Sequence, residues 1–188
     1  MCALLSFFAL ATVLASPAAT QTDAQPGGYA GQQAREIKAL SAQEMADLAA
    51  GRGMGLARAG ELNHYPDPAH VLQLQDRFGL TPGQVEAVQA SFARMEAAAK
   101  LLGAELIQHE RALDDLFRAG TVTLAKMASE TEAVGALEGR LRVIHLAAHL
   151  EMHSILGAEQ IAAYDALRGY ASPDADPAGG QGHRMHPG

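Results

Sequence analysis

The sequence predicts an all-α fold: a long antiparallel helical hairpin with short N-terminal helices and a C-terminal helix, assembling as a dimer. Three observations carry that prediction. Aromatic residues make up only 5% of the 188 residues and tryptophan is absent, whereas β-sandwich strands favour β-branched and aromatic side chains. Two apolar stripes at helical spacing run through residues 82–118 and 123–155, separated by a turn at Gly120. A helix-start signature, leucine followed four residues later by glutamine, stands before the first stripe and again after the second.

The elements follow in order. Residues 1–18 read as a signal peptide: Ala3 to Ala15 is an uncharged apolar run too short to span a bilayer, and Ser16-Pro17-Ala18 supplies the small residues of a cleavage site. Residues 19–40 read as a linker, rich at first in Gly, Gln and Pro. The helical domain is expected over 41–170. Ser41-Ala42-Gln43-Glu44 is a capping box opening a short helix that Gly51, Gly53 and Gly55 break. A second short helix is expected near Leu56 to Leu62. Asp67 then caps a third with Pro68 in its first position, running to Gly79.

Thr81-Pro82-Gly83-Gln84 starts the first long helix. Its stripe is Val85, Val88, Phe92, Met95, Ala99, Leu102, Leu106, Leu113 and Phe117. Thr123 caps the return helix, whose stripe is Met127, Val134, Leu137, Leu141, Ile144, Ala148, Met152 and Ile155. Two amphipathic helices joined by a tight turn must lie antiparallel to bury such stripes. The pair cannot cover both its faces alone, so the N-terminal helices, a second copy of the chain, or both must do so. Leu156-Gly157-Ala158-Glu159-Gln160 opens the last helix, which ends at Gly169. Residues 171–188 read as a disordered tail ending His183-Arg184-Met185-His186, a flexible group able to chelate copper or nickel only loosely.

The chemistry-bearing stretch is His145-Leu146-Ala147-Ala148-His149-Leu150-Glu151-Met152-His153. On a helix the three histidines advance by about 40° each, placing them on a flank between the core stripe and a second apolar patch of Val143, Leu146 and Leu150. Two imidazoles four residues apart can share a cation. The metal reading takes His145, His149 and His153 as ligands, with the Met152 thioether favouring copper or nickel alongside zinc. The alternative reading is a packed flank with one ring nitrogen solvated, and Arg142 on the same side counts against a cation.

A zinc protease is excluded because Leu146 stands where the general base belongs. A zinc deaminase is excluded because no P-C-x-x-C follows. The Gly-rich Arg52 to Leu56 stretch lacks the G-K-[ST] of a phosphate loop. His64, His70 and His109 are expected to cap or pack. No catalytic pair stands out, and a net charge of −7 argues against nucleic-acid binding.

Two boxes, complete at Leu80, Thr81 and Gln84 and lacking the threonine at Leu156, Gly157 and Gln160, frame the helical pair behind a leader. In this the chain resembles the Spy/CpxP family of periplasmic chaperones and stress modulators, related to the zinc- and nickel-responsive ZraP and CnrX proteins. The resemblance covers roughly Pro68 to Tyr170, and the stretch from Ile37 to Tyr65 resembles the leader of its uncharacterised members. It implies a non-enzymatic periplasmic homodimer that responds to heavy metals, with no membrane insertion once the leader is cleaved. Two other readings stay open: a metal-independent chaperone that binds unfolded clients around Phe92, Leu146 and Leu150, and a regulatory partner of a membrane sensor.

Overall fold

A computed structural model describes residues 28–77 and 79–171. The expected signal peptide and the His/Met tail lie outside the described residues, apart from Ala171. The chain divides into a unit ending at Gln33 and a second beginning at Ala34. In the first, Gln32 N–H donates to Tyr29 O (3.0 Å).

The described residues of the second unit form six α-helices: α1 (Ala42–Ala49), α2 (Arg58–Glu61), α3 (Pro68–Gln73), α4 (Pro82–Arg118), α5 (Leu124–Ile155) and α6 (Ala158–Arg168). Among the described residues there is no strand ladder, only an isolated bridge between Ile37 and Leu40. The helix starts are set by local side chains. Ser41 Oγ accepts Glu44 N–H (3.1 Å) while Glu44 Oε2 accepts Ser41 N–H (2.8 Å), satisfying two donors that the first turn leaves open. Asp67 Oδ1 accepts the amides of Ala69 and His70 at the start of α3. Thr81 and Gln84 form the same reciprocal box on α4, and Thr123 Oγ1 accepts Lys126 N–H on α5. The third helix stops at Gln73, short of the expected Gly79, and a 3-10 turn (Gln75–Arg77) takes over.

α4 and α5 pack along their length. Arg94 pairs with Glu151 (2.8 Å) and His109 with Glu130 (2.7 Å), so rising positions on one helix meet falling positions on the other. The interface centres on Ala99, Leu102, Leu106, Leu137 and Leu141. Phe117, expected on the buried stripe, is 57% exposed, because the stripe outruns what α5 covers.

Ile37 and Leu40 belong to this same cluster and are fully or nearly buried. The end of the expected linker is therefore core: two isolated apolar residues in a polar segment suffice to anchor it, each contributing about 2 kcal/mol by transfer from water. α1 lies so close to α4 that a Cβ on Gly103 would sit 2.2 Å from Leu48 O. Only glycine admits that approach.

A second core joins Val71, Val88, Met152, Leu156 and Tyr164, where α3, α4, α5 and α6 meet. Here the two boxes interlock. Gln84 Nε2 donates to Gln160 Oε1 (2.8 Å) and to Ile155 O (2.9 Å). Gln160 Nε2 donates to Gln84 Oε1 (3.1 Å) and to Gly79 O (3.4 Å). Each amide oxygen also accepts the N–H of its own helix cap, Thr81 or Gly157. Both primary amides are thus fully used, and the pattern is the same read from either box.

Candidate functional site on the histidine flank of α5

Residues 53–67 cross α5 as a strap, and each of the three histidines meets it. A Cβ on Gly53 would lie 3.4 Å from His145 Nδ1, and one on Gly60 would lie 3.3 Å from His149 Cβ. The Tyr65 ring stacks on His153 with centroids 4.6 Å apart. Glycine at the first two places lets the strap backbone close onto the imidazoles. His145 and His149 are each only 3% exposed, while His153 remains exposed beyond the strap.

The expected flank position is therefore corrected for His145 and His149, which are buried under the strap. The second apolar patch is corrected in part in the opposite sense: Val143 and Leu150 are 65% and 59% exposed, while Leu146 is half-buried. Met152 faces the second core with no exposure and stands apart from the histidines' polar surroundings. The four candidate ligands thus occupy three environments. Among the described residues, no three His, Cys, Asp or Glu side chains are gathered as an ion-holding set.

Around His149 the strap supplies a polar cluster. His149 Nδ1–H donates to Tyr65 O (2.7 Å), and its Nε2 faces Asp67 Oδ2 at 3.5 Å. Asp67 does double duty, one oxygen capping α3 and the other facing the imidazole. Glu61 Oε2 is 3.7 Å from His149 Nδ1, and Glu61 Oε1 accepts the Tyr164 hydroxyl (2.7 Å). His70 Nδ1 and Arg168 Nε approach the same Glu61 oxygen at 3.7 and 3.5 Å. At the edge, His64 Nδ1 pairs with Asp165 Oδ2 (2.7 Å). That contact helps hold His64 at φ 68°, a left-handed conformation uncommon outside glycine.

Charge follows from this geometry. Burial pulls the His149 pKa down, but the contact with Asp67, the Tyr65 carbonyl and the charge of Glu61 outweigh it, leaving it raised. Burial lifts Asp67, and His149 and His70 reverse that, leaving it below the ordinary carboxylate range. His145 has no such compensation: burial and the neighbouring His149 lower it against the pull of Asp67. Burial and the Glu61 hydrogen bond push the Tyr164 hydroxyl well above its usual value, so it stays a proton donor. Four buried atoms in this region lack a hydrogen-bond partner: Glu61 Oε2, His145 Nε2, Asp165 Oδ1 and Arg168 Nε.

Glu61 is the residue that sequence reasoning missed. It stands on the short helix expected near Leu56 to Leu62, where a single acid reads as solvated. His64 and His70, expected to cap or pack, do so against carboxylates. Comparison with family models, characterised proteins and solved structures gives no match for this chain.

Proposed function

We propose that this is a non-enzymatic, exported envelope-stress protein of Spy/CpxP type, built on an antiparallel hairpin, working as a homodimer and responding to heavy metals through the strapped histidine flank. The observation that supports the metal response is that Glu61 Oε2 and His145 Nε2 are among the four buried atoms around His149 without a hydrogen-bond partner. A buried anionic oxygen and a neutral imidazole nitrogen without partners are both stabilised by an arriving cation. His145 and His149 would be the imidazole ligands, with Glu61 or Asp67 as the oxygen donor. Met152 stays in the core, and His153 joins only by leaving Tyr65. That nitrogen and oxygen set suits zinc or nickel better than the thioether-containing set suggested by sequence. The two interlocked Leu-x-x-x-Gln boxes support the family reading.

The test is calorimetric titration of the mature protein with zinc, nickel and copper ions, beside His149→Ala and Glu61→Gln. The expected result is a loss of at least tenfold in affinity in both variants, with their helical content retained. Equal affinities in all three proteins would place any binding elsewhere, for instance on the tail histidines.

A second reading, client or sensor binding without metal, is favoured by the exposed Val143 and Leu150 on α5. An aggregation-suppression assay in chelator separates the two: suppression that persists supports this second reading, and suppression that needs metal supports the first.

A further inference from the structure

Three arginines line two recesses around residues 54–62 of the strap. The larger recess, of about 590 Å³, opens between residues 54–63 and α5, and the charged residues of its wall are Arg58 and Arg142, with no acid beside them. A smaller one, of about 270 Å³, shares Met54, Gly55, Arg58 and Leu62 with it and adds Arg168, His70 and Glu61. Glu61 is the one carboxylate in the two walls, and it is already engaged: its Oε1 accepts the Tyr164 hydroxyl and is approached by Arg168 and His70. In a chain whose net charge is −7, these walls hold three guanidinium groups against a single carboxylate.

Arg58 and Arg142 have no ion pair among the described residues. The Arg58 head is set against bare backbone: its Nη2 lies 3.1 Å, and its Cζ 3.7 Å, from the point that a Cβ on Gly55 would occupy. With φ at +81°, that position favours glycine. Beside the guanidinium the apolar wall is open, with Met54 45% and Leu62 55% exposed. Met54 holds φ 43°, a left-handed conformation uncommon outside glycine, and spends that strain on presenting its side chain to solvent rather than to either core.

We propose that the larger recess binds a small amphipathic carboxylate, an alkyl chain with an anionic head, taken from solution. The head lies between Arg58 and Arg142, whose planar forks match a carboxylate, and the chain lies over Met54, Leu56 and Leu62. A volume of about 590 Å³ falls within the range of small-molecule sites, about 300–1,000 Å³. The adjoining groove of about 640 Å³, with Gly135 and Gly139 in its α5 wall, is outside the site: Glu44, Asp47 and Glu138 line it and would repel the head. None of the residues assigned to the cation takes part, so the site stands apart from that reading.

The test is calorimetric titration of the protein, in chelator, with decanoate below its micelle threshold. Decanoate is expected to bind one to one, at least tenfold more tightly than either acetate or uncharged decanol. Arg58→Gln and Arg142→Gln are each expected to lose that binding at least tenfold, with wild-type helicity and urea midpoint. Arg140→Gln is the control for general electrostatics: Arg140 also has no ion pair among the described residues, but lines neither recess, and its loss should leave binding as in wild type.

Decanol binding as tightly as decanoate overturns the proposal and leaves an apolar patch. Unchanged binding in either recess variant, or an equal loss in Arg140→Gln, overturns it as well. So does a protein that ignores decanoate but sediments with vesicles of anionic phospholipid, which would make the arginines a membrane-surface contact.

Discussion

The two halves of α5 are treated differently by the rest of the chain. In its C-terminal half His145 and His149 are buried beneath the strap and Met152 in the second core, and its end is held by the Gln84–Gln160 amide pair. Its N-terminal half has one side on α4 and the other open, with Leu124 77% exposed and two glycines facing the groove. Glycine marks both halves with opposite meaning. In the strap over the covered half, Gly60 permits close packing; in the open half, Gly135 and Gly139 meet nothing.

That contrast can be broken most forcefully at the covered end. Gln84→Glu removes both amide donors, orphans Ile155 O and sets a carboxylate against Gln160 Oε1. Unfolding in urea should show a loss of about 2–3 kcal/mol, and Gln160→Glu should show a similar one. Next in size, Gly60→Val forces the strap away from His149. A loss of about 1–2 kcal/mol is expected, with faster amide exchange in 53–67 and little change in 124–139.

A smaller effect should separate the two buried histidines by pH. His149 is raised in the folded state, so its contribution is full below the ordinary histidine value of about 6.5 and is lost as pH rises through its folded pKa. Towards acid, the Asp67 share of that contact persists until pH falls through Asp67's lowered pKa. His145 is depressed, so its contribution is present above about 6.5 and is lost as pH falls. Urea midpoints measured in chelator should therefore show the wild-type advantage over His149→Ala shrinking as pH rises from about 6.5 through the raised folded pKa of His149. An advantage that grows over that range would reverse the assignment. Smallest, Gly135→Ala and Gly139→Ala should each stabilise the protein by about 1 kcal/mol or less, read as a rise in thermal midpoint.

Much of the fold is local in origin and was legible. α4 runs over Pro82–Arg118 as its cap, stripe and terminating glycine indicate, and the Thr123 and Gly157 starts stand where the sequence places them. Interactions that depend on distant partners were not legible. Ile37 and Leu40 look like stray apolar residues until α4 and α5 lie beneath them. Three histidines on one flank were visible, but nothing local says that Gly53, Gly60 and Tyr65 close over them. The glutamines read as capping partners because that is their short-range role. A hint of more was present, since the second box keeps its glutamine where the capping threonine is gone.

The paired glutamines also govern how the unit comes apart. Their contact joins positions 76 residues apart in the chain, and the segment between them contains nearly all of α4 and α5. It acts as a reversible fastener on a long loop, whose closure entropy grows only slowly with length. Fraying at the first turn of α6 is thereby transmitted to the first turn of α4, so the two helix ends should open together. Deleting α6 would unfasten a helix that begins before α5 is reached.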